Sequence, residues 1–149
     1  MIKEACIGET FGVLVIARAL HQVRSRGGPS WLREHFEMTL RDESEHARLA
    51  WRTLRWLVES DRPSHIELDR RRLMVTEQII KTLSVSQPAE QDQPITIEPA
   101  LGMLTHREHD TIFNQELPPL IMREVDGLLT TDQRRSILEH MVALNHPIH

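Results

Sequence analysis

Glu43 and His46 stand as a Glu-x-x-His pair inside the run Asp42-Glu-Ser-Glu-His-Ala-Arg-Leu-Ala-Trp51. On a helix, residues three apart share a face and lie about one turn from each other. A carboxylate and an imidazole placed this way can ligate one metal ion, and oxygen with imidazole nitrogen suits iron or manganese. Dinuclear sites in the cores of helical bundles use two such pairs and two further glutamates. This chain has one pair, so it carries the pattern of a half-site.

Taken bare, the pair is weak evidence. Nine histidines in a chain of 149 residues with fifteen glutamates give about one such match by chance, and the plainer reading is a solvated helix face. Position strengthens it. Stepping by three and four through 32, 36, 39/40, 43, 46/47, 50, 54 and 57 traces a mostly apolar stripe that includes both residues. Arg41, Asp42, Glu45 and Arg48 fall mostly off it. A carboxylate and an imidazole on a core stripe need a compensating partner, and a cation is one.

The positioning elements are two helices. Residues 2 to about 23 read as helix, closed by Ser25-Arg26-Gly27-Gly28-Pro29, with Ser30 as N-cap of a second helix from Trp31 to about Glu59. Asp61-Arg62-Pro63 ends that one. Glu9 shares a stripe with Ile2, Cys6, Val13, Ile16, Leu20 and Val23. Counted from the turn, Glu9 is 17 residues back, Glu43 13 forward and His46 16 forward. At ~1.5 Å per residue these meet within about a turn in an antiparallel hairpin, whereas Glu4 lies roughly 13 Å beyond Glu43. Glu9 is therefore chosen over Glu4.

Beyond the hairpin, Ser64-x-x-Glu67 opens a third helix to about Leu83. Residues 84–99, with Pro88, Pro94 and Pro99, read as a polar linker, dividing residues 1–83 from a helical region at 100–149. Thr105-x-x-Glu108 opens a helix that Pro118-Pro119 interrupts or kinks, and Thr130-x-x-Gln133 opens a last one to about Leu144. No period-two alternation is sustained, so the fold class is all-α.

Composition narrows the function. Apolar content of 40% and charged content of 27% fit a globular chain, and a net charge of −4 without a basic stripe disfavours nucleic acid. The absence of Tyr and the scarcity of other aromatics weaken a base-stacking or aromatic-cage reading. One cysteine, Cys6, excludes an internal disulfide framework and suits a reducing, cytoplasmic setting. No stretch is expected to be long enough to span a bilayer, and the apolar run 11–20, with Glu4 and Glu9 upstream and Arg18 within it, fits an internal helix rather than a leader. No membrane partner is expected.

The runs Glu4-Ala-Cys-Ile-Gly-Glu9-Thr-Phe-Gly and Asp42–Trp51 resemble the third and fourth helices of bacterial ferritin-like domains, over roughly residues 2–60. The resemblance implies a ligand set of Glu9, Glu43 and His46, one helix pair of a ferritin-like bundle. The usual first pair is missing. Two chains meeting about a two-fold axis would complete a dinuclear iron (or manganese) centre with ferroxidase or oxidoreductase chemistry on an unknown small-molecule substrate. The dimer is preferred because the apolar first helix must be buried on several sides. Alternatively, the chain is part of a longer or shortened product, or a helical structural or interaction module with a relic half-site.

Elsewhere the plainer readings stand. His106, His109 and Glu108 fit the first turn of a capped helix, and His140, His146 and His149 lie near the C-terminal end of the sequence. Trp31, Trp51 and Trp56 read as packing residues, and Cys6 as a small buried thiol.

Overall fold

The computed structural model describes residues 3–84, 99–129 and 133, with side chains from Ala5 onward. The fold is all-α, and the described residues contain no strand. α1 spans Glu9–Ser25 and continues a π-helical segment, Lys3–Gly8; α2 spans Ser30–Glu59 and α3 spans His65–Ser84. After a short 3-10 turn at Pro99–Leu101 come α4, His106–Thr111, a π-helical turn at Ile112–Glu116, and α5, Leu117–Asp126. The 85–98 stretch of the expected linker and the expected helix after Thr130 lie outside the described residues.

α1 and α2 pack side by side as an antiparallel hairpin. Arg24 pairs with Glu37 beside the turn, Gly12 lies against Glu43 midway, and Trp51 Nε1 donates to Thr10 Oγ1 at 3.1 Å near the far end. The turn follows its glycines. Gly27 takes φ 70, a region open to it for want of a Cβ, and Gly28 N–H donates to the Val23 carbonyl at 2.8 Å. Gly28 also lies against the Ala100 carbonyl, so the 3-10 turn covers the hairpin bend. Ser30 proves to be the first residue of α2, with Pro29 in the N-cap position and no side-chain cap.

The core joins the start of the hairpin to α5 and the residues just after it. Cys6 and Ile7 pack with Trp51, Leu54 and Val58 of α2, Ile79 of α3, and Leu117, Ile121 and Val125 of α5. Residues from the 99–129 segment therefore share the hairpin's core. This revises the burial argument for a dimer, because α4, α5 and the turn between them already cover one side of α1. Two polar contacts reinforce that cover, Arg18 with Glu116 and Gln22 Nε2 to Glu108 Oε1 at 2.6 Å, and Arg55 Nη2 to Glu124 Oε2 at 2.6 Å ties α5 to α2.

Two expectations about helices need correction. The helix is continuous over Ala5–Ser25, 21 residues of mean hydropathy 1.2, so one segment is long and apolar enough by length and composition to cross a membrane. Glu9 and Arg18 interrupt the apolar sequence, but the helix carries it on through Ala5, Cys6 and Ile7 on one side and Ala19, Leu20 and Val23 on the other. A core helix passes the same test; here 28% of the window is buried, and α1 packs against α2 and α5. In α2, the core side runs through Trp51, Leu54 and Val58, rotated from the stripe through 50, 54 and 57. Leu49 and Leu57 are consequently exposed.

Candidate metal centre

α1 carries Glu9 in its first turn, and α2 carries Glu43 and His46 at its middle. The antiparallel register brings them together. One ligand atom from each of Glu9, Glu43 and His46 lies within 4.8 Å of the others. Two atoms bound to one ion can stand at most ~4.2 Å apart, twice a bond of ~2.1 Å. The observed spacing exceeds this by a margin that side-chain rotation can close, so the three donors fit a metal-binding group. Among the described residues, none of the three side chains has a hydrogen bond or ion pair to another protein group. Their lone pairs are uncommitted.

The burial differs from that predicted by the stripe. Glu9 and Glu43 are half-buried and His46 is exposed. The rotation of α2 that seats Trp51 in the core turns His46 outward, so a single chain presents the group on an open face. A cleft of about 510 Å³ adjoins it, lined mainly by apolar groups that include Cys6, Leu49, Leu54 and Leu57, with Glu9 and His46 also in its wall.

Gly12 is the residue that the spacing of charged groups does not reveal. A Cβ there would stand 3.6 Å from Glu43 Oε2. A methyl group would just fit against the Glu43 carboxylate there, and a larger side chain would not. Gly12 is three residues after Glu9, on the same helix face, and that step is the sequence signal for it. Thr10 is the other: its hydroxyl donates to the Cys6 carbonyl at 2.7 Å and accepts from Trp51 Nε1, fixing the two helices beside Glu9.

The remaining acids and imidazoles stand elsewhere. Glu45 pairs with Arg48 at 2.7 Å and Asp42 is exposed, both off the Glu43 face. Glu108 closes the capping box with Thr105, while the His109 ring packs against Phe11 with centroids 6.2 Å apart. Burial acts to raise the Glu108 carboxyl. Hydrogen bonds from the Thr105 backbone and hydroxyl and from Gln22, with Arg18 nearby, outweigh it and hold the group below the ordinary carboxylate value. Trp51 is buried, but Trp31 and Trp56 are exposed rather than packed. His140, His146 and His149 lie outside the described residues.

Cys6 is buried as expected, beside the same cleft. Burial, and secondarily the charge of Glu124, push its thiol up to about 11. It is a packing group there, not a thiolate donor. No protein family, curated protein or solved structure matches the chain significantly.

Proposed function

We propose that this chain is one half of a ferritin-like dinuclear metal protein, with Glu9, Glu43 and His46 as the metal ligands of each half. The observation carrying the reading is the convergence of three uncommitted donors from two helices on one open face. Two copies related by a two-fold axis would supply four carboxylates and two imidazoles, and four negative charges balance two divalent ions. Iron, or manganese in its place, suits that donor set. A pair of such ions would bring dioxygen activation or oxidation of ferrous iron.

The protein's own share is positioning. Thr10 and Trp51 lock α1 to α2 at the level of Glu9, and the small Gly12 leaves the Glu43 carboxylate room beside α1. The exposed Leu49 and Leu57 beside His46 give a second copy an apolar surface to cover, which would exclude water from the centre.

The exposure of His46 favours a second reading, in which the hairpin is an interaction module and the acidic pair a relic. The two readings separate by experiment. After anaerobic reconstitution, the metal reading expects close to one iron or manganese per chain and a dimeric mass. Glu9→Ala and His46→Ala should each abolish the metal and the stabilisation it provides. A strict monomer, or no bound metal, defeats the proposal. Unchanged or improved stability of both variants in the metal-loaded preparation would favour the interaction module.

A further inference from the structure

A second cleft, of about 330 Å³, lies between α1, α2 and α5 and shares no residue with the one beside Glu9. Its α2 wall is Ser44, Ala47, Arg48, Trp51, Arg52 and Arg55, spaced along a different side of the helix from His46, Leu49, Thr53 and Leu57. Arg123 joins from α5, so four arginines line a cleft with one carboxylate, Glu124. The chain as a whole is acidic, with a net charge of −4, so this gathering is not a by-product of basic composition.

The arginines differ in their commitments. Arg55 Nη2 donates to Glu124 Oε2, yet its Nε is buried without a hydrogen-bond acceptor among the described residues. That N–H is closed to solvent, so Arg55 contributes fixed charge to the wall rather than a donor to the cleft. Arg48 is engaged by Glu45, which stands outside the cleft. Arg52 and Arg123 have no ion-pair partner among the described residues. These two uncommitted guanidinium groups, with the fixed charge of Arg55, suit an anion with several acceptor oxygens.

We propose that this cleft binds a small organic phosphate. A phosphate ester carries close to two negative charges and three free oxygens, which match guanidinium forks approaching from more than one helix. The volume is at the small end of ligand pockets and exceeds what an isolated phosphate needs. Val13 and Leu120 supply apolar wall for the organic part. Arg52 and Arg123 bind the phosphoryl oxygens, and Arg55, held in place by Glu124, adds fixed positive charge.

Calorimetry with glycerol 3-phosphate as the probe tests this, run on metal-free protein so that the outcome is independent of the metal reading. Orthophosphate, citrate and sodium chloride at matched ionic strength are the comparisons. The expected result is saturable binding of one ester per chain. Arg52→Gln and Arg123→Gln should each weaken it about tenfold or more, the size of one charge-assisted hydrogen bond. Arg41→Gln, exposed on α2 outside the cleft, should leave it unchanged. Both test residues are exposed, so helical content and Tm should stay near those of the parent protein. Binding no stronger than the chloride effect, or indifferent to both substitutions, overturns the site. Citrate binding without the ester overturns the phosphate class, and orthophosphate binding as tightly as the ester overturns the organic ligand.

Discussion

Gly12 and Glu43 meet where α1 and α2 are closest to the candidate centre, and a single Cβ there already reaches ordinary van der Waals contact. Gly12→Val adds two methyl groups beyond that contact. It should displace the Glu43 carboxylate and remove metal binding while circular dichroism still reports the helices; full metal occupancy in the variant would contradict the placement of Glu43. Cys6 offers a check of a different kind. With its thiol near 11 and the side chain only 2% exposed, it should resist alkylating reagents at pH 8 and react on unfolding. Rapid labelling of the folded chain would show that α1 opens at this end. Glu9, Glu43 and His46 were legible in the sequence because residue type and helical spacing are local properties. The exposure of His46 was not, since it depends on which side of α2 the core occupies.

Elements in this chain begin and end for local reasons, and those reasons give sharp expectations. Thr105 Oγ1 accepts from the Glu108 N–H at 3.1 Å, and the Glu108 carboxylate accepts from the Thr105 N–H at 2.8 Å. Thr105→Ala should cost about 1 kcal/mol in denaturant unfolding. Glu108 titrates below its ordinary value in the folded chain, so the unfolded chain binds its proton more tightly. Its contribution is complete above the ordinary carboxylate pKa and fades as pH falls through the folded value. Glu108→Gln should therefore lose most stability relative to the parent near neutral pH and least in acid. A penalty independent of pH would rule out this account of the cap.

The turn between α2 and α3 stores strain instead. Asp61 and Arg62 take φ 65 and 45, and Arg71 Nη1 donates across to the Ser60 carbonyl at 3.0 Å. Arginine has no local side-chain bond to favour that region, so Arg62→Gly should stabilise the fold by roughly 0.5–1 kcal/mol. An unchanged or lower unfolding midpoint would show that the gain is offset in the unfolded chain. Ser64 Oγ accepts from the Glu67 N–H at 3.3 Å, but the Glu67 carboxylate turns to Arg70 and Arg71, so this cap is formed on one side. Pro118 and Pro119 act as their type requires. Lacking N–H groups, they cannot continue the hydrogen-bond ladder, and the backbone widens into the π turn before α5.

For the whole molecule, chemistry and association are one question under the proposed function, because the centre needs a second copy. Metal should raise Tm, and the increase should grow with protein concentration if metal binding and dimerisation are coupled. A metal-induced shift that is independent of concentration would place the complete site within one chain. The sequence by itself determined the helical class, the helix ends at glycines, prolines and capping hydroxyls, and the level at which Glu9 meets Glu43 and His46. These follow from spacing and a fixed rise per residue. Tertiary structure alone decided the rest. Residues 99–129 cover α1 within the same chain, the core turns α2 so that His46 faces outward, and α5 brings Arg123 to Arg52 and Arg55. Such contacts join residues as many as 98 apart. They are set by which apolar faces pack best together, a property of the assembled core that no local spacing encodes.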